Sequence, residues 1–121
     1  MEDQIIMQAK GANGTLQLLP DRIRIVREGW LSNLYDRHSH LDLLLQQITA
    51  VELNVTIGGL AGYLAFHECE GSDAYEDYCV SFIKSQQHRF IAIHEAIEER
   101  LAVIRERMAQ DRVTYYARAE V

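Results

Sequence analysis

The chain has 121 residues, 48 % of them hydrophobic and 25 % charged, with a single proline and no internal repeat; this describes one ordered domain and excludes a low-complexity or repeat architecture. Its net charge is −6, and no Lys or Arg lies between His38 and Ile83, a span that carries Asp42, Glu52, Glu68, Glu70, Asp73, Glu76 and Asp77. Such a surface repels phosphate backbones and anionic lipid, so nucleic acid and phosphoinositide or membrane partners are not expected.

Residues 1–10 have weak periodicity and read as a separate N-terminal segment, a short helix or strand. Gly11-Ala12-Asn13-Gly14 is a turn, because Gly and Asn tolerate positive φ. Thr15 to Leu19 reads as a strand, Pro20-Asp21 as a turn, and Arg22 to Glu28 as a second strand. In the latter, Ile23 and Ile25 share one face while Arg22, Arg24 and Val26 share the other. Trp30 to Tyr35 is apolar enough for a third strand, followed by a polar stretch from Asp36 to His40. Leu43 to Leu45 is a short strand, Gln46-Gln47 a bend, and Ile48 to Asn54 a strand with Ile48, Ala50 and Glu52 opposite Thr49, Val51 and Leu53. After a turn at Ile57-Gly58-Gly59, Ala61 to Glu70 is a strand with Leu64 and Phe66 inward. Gly71 to Asp77 is an acidic loop, and Tyr78 to Ile83 is the last of about seven strands. That count and spacing predict an antiparallel sandwich or barrel.

The period then changes from 2 to 3.6. Ser85 is a candidate N-cap for a helix over 85–110. Phe90, Ile93, Ile97, Leu101, Ile104 and Met108 are spaced three or four apart and form one apolar stripe. Beyond it, Val113 to Ala117 has strand propensity and could pair with a neighbouring sheet edge.

The order of these elements, and several of the residues, resemble bacterial pleckstrin-homology-like (PH-like) domains. Gly11, Asn13-Gly14, Leu16 and Leu18 resemble the family's opening strand. Arg24-Ile25 with Arg27 and Gly29 resembles its second strand and turn. Ile48-Thr49-Ala50-Val51, Gly62-Tyr63-Leu64 with Phe66, and Phe82 before a helix containing Phe90 complete the order. The resemblance covers roughly residues 9–101. It implies a mainly β fold, a seven-stranded, partly open β-barrel over 11–100 capped by a C-terminal helix, with 101–121 as an extension and tail. It also implies no catalytic residues. The first hairpin's tip, Leu18-Leu19-Pro20-Asp21, lacks the basic residues that lipid-binding relatives use there.

Several side chains are of ligand type. His38 and His40 flank Ser39, and His67 and Cys69 share a strand face with Cys79 within reach, but neither set has the tight C-x₂-C pairing of a zinc site. His88 and His94, six apart on the helix, do not share a face. Glu68, Glu70, Asp73, Glu76 and Asp77 lack the EF-hand pattern. The expectation is therefore no metal, no cofactor and no enzyme, since the G-x-S-x-G elbow, P-loop and H-E-x-x-H motifs are missing from the sequence. Trp30-Leu31 and Tyr63 are either core or partner-facing aromatics.

The acidic N-terminus and only two cysteines favour a reduced, cytoplasmic protein without a secretory leader. The longest near-apolar stretch, Val55 to Phe66, holds three glycines and falls well short of the roughly 20 residues of a spanning helix.

A helix over 85–110 is about 39 Å long, whereas one barrel face is about 20 Å across. Phe90, Ile93 and Ile97 suffice to plug the barrel, so Leu101, Ile104 and Met108 are expected to lie beyond it, as an interface with a second copy or another protein. The leading expectation is a homo-oligomeric protein-interaction module. The alternative is a small-ligand or metal-ion domain using the His, Cys and acidic groups.

Overall fold

The computed structural model describes residues 4–27, 40–56, 61–68 and 78–119, with side chains to residue 111. Strands β1 (Met7–Lys10), β2 (Thr15–Leu18), β3 (Arg22–Val26) and β4 (His40–Leu44) form an antiparallel sheet in that order. Alternation places Leu16, Leu18, Ile23, Ile25 and Leu43 in the core. On the other face, Gln8, Gln17, Arg24 and Asp42 stand in one row across all four strands. Gln17 Nε2 donates to Gln8 Oε1 at 3.2 Å, and Arg24 donates to both Asp42 oxygens at 2.7 and 3.0 Å. The Arg24 guanidinium, with help from Arg22, holds the Asp42 carboxyl below its ordinary value despite partial burial.

A 3₁₀ turn, Leu45–Gln47, carries the chain to a second antiparallel sheet of β5 (Ile48–Asn54), β6 (Gly62–Glu68) and β7 (Cys79–Phe82). Simple alternation put Ile48 opposite Val51 and Leu53. A bulge between Ile48 and Ala50 corrects this: Thr49 is the extra residue, and its hydroxyl donates to the carbonyl of His67 at 2.9 Å. Ile48 is thereby buried, and Val51 and Leu53 pack on the same core. Gly62 sits where β5 and β7 leave no room, since a Cβ there would meet the Phe82 ring at 2.6 Å.

Among the described residues the architecture is mainly β: seven strands in two antiparallel sheets, then one C-terminal helix. Among the described residues the two sheets are not closed into a barrel. Near one corner, Ala12 N donates to Ser81 O at 2.7 Å and Ser81 N donates to Asn13 Oδ1 at 2.8 Å, linking the β1–β2 turn to β7. Six of the expected strands correspond to β2 through β7, the strand expected at 30–35 lies outside the described residues, and β1 takes the strand alternative for residues 1–10. Alternation over 7–10 is faint because its inward residues are only Met7 and Ala9. The strand expected at 43–45 begins earlier, at His40, and ends at Leu44.

A second 3₁₀ turn, Lys84–Gln86, leads into α1 (Gln87–Ala119), 33 residues and about 50 Å long. Ser85 is not the N-cap, because it lies inside the 3₁₀ turn. Gln86 does the tying instead: its side-chain oxygen accepts from Ile83 N at 3.0 Å. Gln87 Oε1 then accepts from the backbone N and the hydroxyl of Thr56, both at 2.7 Å, anchoring the helix start to the end of β5. Residues 113–117, read as strand-prone, continue the helix instead. Helical propagation costs little once a long helix is seated, so local β-propensity loses.

Phe90, Ile93 and Ile97 are fully buried, and Phe90 stacks on Phe82 with centroids 4.6 Å apart. Leu101 corrects the expectation that the stripe leaves the β-layers there, since it is 1 % exposed and belongs to the core. The seated part of the helix is thus one turn longer than the barrel-width estimate allowed.

Candidate functional site

The stripe emerges at its last two members. Ile104 is half-buried against the edge of the core, and Met108 is 41 % exposed. Both line an open cleft of about 460 Å³. Its opposite wall is built from Pro20 and Asp21 in the β2–β3 turn, Leu44 at the end of β4, and Gln46 in the 3₁₀ turn. Arg100, Arg107 and Asp111 complete the helix side. Their positions relative to Ile104 and Met108 keep all five on one helical face.

The polar groups around this apolar floor differ in how they are engaged. Arg100 Nε donates to Pro20 O at 3.0 Å and pins the turn to the helix. Arg105, just outside the cleft, reaches the bulged start of β5 and donates to Ile48 O at 3.4 Å and Thr49 O at 3.3 Å. Asp21 pairs with Arg22 at 2.9 Å, which lowers its carboxyl pKa. Among the described residues, Arg107 and Asp111 have no ion pair or hydrogen bond. The cleft therefore offers an apolar strip with a cation, Arg107, and an anion, Asp111, a turn apart and unpaired among the described residues. Such a surface can seat an apolar, oppositely patterned side of a partner.

Of the three expected interface residues, the structure brings Ile104 and Met108 to this cleft and withholds Leu101. The opposite wall was not legible. Nothing in the sequence links Pro20 or Leu44 to the helix, because that proximity comes from sheet register. The helical face itself was legible, since Arg100, Arg107 and Asp111 fall at the same spacing as the stripe.

The ligand-type residues are arranged differently. On the outer face of β5–β6, the Glu52 carboxylate accepts from the Tyr63 hydroxyl and stands 3.2 Å from His67 Nε2. The Tyr63 hydrogen bond, then that of His67, lowers the Glu52 pKa. Cys79 is a free, half-buried thiol whose pKa burial pushes up. His40 is exposed on β4, His88 is exposed on the helix, and His94 Nε2 lies 3.8 Å from Glu98. His38, Cys69, Glu70, Asp73, Glu76, Asp77 and Trp30-Leu31 lie outside the described residues. Among the described residues, no three His, Cys, Asp or Glu groups are placed to hold a metal ion, and no helix is long and apolar enough to cross a membrane.

No protein-family model, no curated protein and no solved structure matches this chain.

Proposed function

We propose that the chain is a non-enzymatic, PH-like protein-interaction module that self-associates through the second half of its helix. Four antiparallel strands, three antiparallel strands and a closing helix follow one another in the order that the resemblance to PH-like domains implies, which supports the fold part of the reading. The observation that carries the functional part is where the apolar stripe comes to the surface. Ile104 and Met108 line an open cleft at the point where the helix leaves the β-layers. The helix then continues to Ala119, about 22 Å further along its axis. Capping the sheets does not require that length, whereas an interface does. The free thiol of Cys79 suits a reducing compartment, so the proposal places the module in the cytoplasm.

Sedimentation velocity across micromolar concentrations tests the reading. The expected result is a concentration-dependent dimer or higher oligomer that Met108→Glu dissociates without changing the far-UV spectrum. A monomer at every concentration, with no partner bound to the cleft in solution, would overturn it. Leu101→Glu is the wrong variant for this purpose, because it places a charge in the core.

A further inference from the structure

We propose that the cleft's occupant is the same helix of a second copy, laid antiparallel across a two-fold axis so that Arg107 of each copy pairs with Asp111 of the other. The inference rests on the self-association reading above and assigns it a geometry.

Three observations lead to it. First, Arg107 and Asp111 line the cleft beside Ile104 and Met108, and neither has an ion pair or hydrogen bond among the described residues. They stand four residues apart on one face of the helix. A two-fold axis passing level with the midpoint between them sets Arg107 opposite Asp111 twice in a single interface. A parallel pairing does the reverse, setting Arg107 against Arg107 and Asp111 against Asp111, and it also aligns the two helix dipoles unfavourably.

Second, the lengths agree. At this register residue 107 lies level with residue 111 of the second copy, and residue 118 lies level with Arg100. The helix runs to Ala119, and the cleft's helix wall runs from Arg100 to Asp111. The part of each helix that leaves its own β-layers therefore spans the whole cleft of the other copy.

Third, the same axis brings Met108 of the two copies within one turn of each other. Met108 is the most exposed member of the stripe, and a thioether side chain adapts to a like neighbour. One arrangement thus covers the apolar strip and satisfies both free charges.

Charge reversal with sedimentation equilibrium tests the register. Arg107 and Asp111 are exposed, so Arg107→Asp and Asp111→Arg should both fold, which thermal melting verifies. Each single reversal should raise the dimer dissociation constant about tenfold or more, and the double swap Arg107→Asp/Asp111→Arg should return it to within about threefold of the starting protein. Mixing the two single variants should give a heterodimer tighter than either homodimer. If the protein dimerises but neither reversal weakens it, or the double swap fails to restore it, the antiparallel register is wrong while self-association stands. If the unaltered protein is monomeric throughout, the self-association reading fails and the register fails with it.

Discussion

The two halves of α1 carry one continuous stripe but meet different surroundings. From Phe90 to Leu101 each stripe residue is buried, with exposures of 0 to 1 %; one turn later Ile104 is half-buried and Met108 is 41 % exposed. Nothing in the 3–4 spacing changes at residue 101. The difference lies in the cover. The first half packs on both sheets, with Phe82 stacked on Phe90, whereas the second half touches the start of β5 through Arg105 and otherwise faces the Pro20 turn, Leu44 and Gln46 across an open cleft. The eleven helical steps from Phe90 to Leu101 rise about 16 Å, which is the length of a five-residue strand. An amphipathic pattern states which side chains need burial, and the extent of the β-layers decides which of them get it within one chain.

The sharpest way to test that division is to truncate the seated half. Phe90→Ala removes a fully buried ring stacked on Phe82 and should cost about 3–5 kcal/mol, measured by urea unfolding. A loss below about 1 kcal/mol would mean that the first half is not the keystone of the core. The floor under that ring gives the next largest effect. A Cβ on Gly11 would collide with Ser81 O and approach the Phe90 ring at 3.0 Å. Gly11→Ala should therefore destabilise by about 1–3 kcal/mol through overpacking, although alanine suits many turns.

How much of this was legible follows from the same contrast. Strand alternation at Arg22 to Val26 and the stripe from Phe90 onward were readable, because each is a local period set by burial of one face. The face change in β5 was not, since the bulge at Thr49 depends on the opposing strand. The sequence leaves β1 open between helix and strand because Ala9, although 1 % exposed, gives almost no periodic signal. In the candidate site, Ile104 and Met108 are readable from the stripe, whereas the burial of Leu101 is not. A generic sheet width ends the seated part of the helix one turn before Leu101. Pro20 and Leu44 reach the helix only through tertiary contact.

A control away from the helix separates fold from assembly. Asp42 holds Arg24 in a two-point contact on the outer face of the first sheet, with 28 % of its side chain exposed. Asp42→Asn should cost about 1 kcal/mol and leave self-association unchanged. Its folded pKa is lowered, so the stabilisation is complete above the unfolded carboxylate's value near pH ~4 and is lost as the pH falls through the folded pKa. Between pH 7 and 3 the Asp42→Asn protein should therefore lose less stability than the parent.

The boundary between the two halves can be probed at Arg105, which bonds the Ile48 and Thr49 carbonyls at 3.3–3.4 Å. Those distances are long, so Arg105→Ala should cost only about 0.5–1 kcal/mol. Hydrogen exchange should show the loss confined to the helix beyond residue 101. Uniform loss of protection along the helix would move the boundary toward its end.

Met108→Glu should have the smallest effect on folding and the largest on assembly. The side chain is already 41 % exposed, so the change in monomer stability should stay within about 0.5 kcal/mol. In an assembled protein the same carboxylate would be carried into an apolar contact beside Ile104, where an unpaired charge is far costlier than at a wet surface. The two readouts should therefore diverge: thermal unfolding of dilute protein unchanged, and the concentration dependence of that unfolding abolished. If Met108→Glu destabilised the dilute monomer as much as Phe90→Ala does, the second half of the helix would be part of the fold, and the contrast between the halves would disappear.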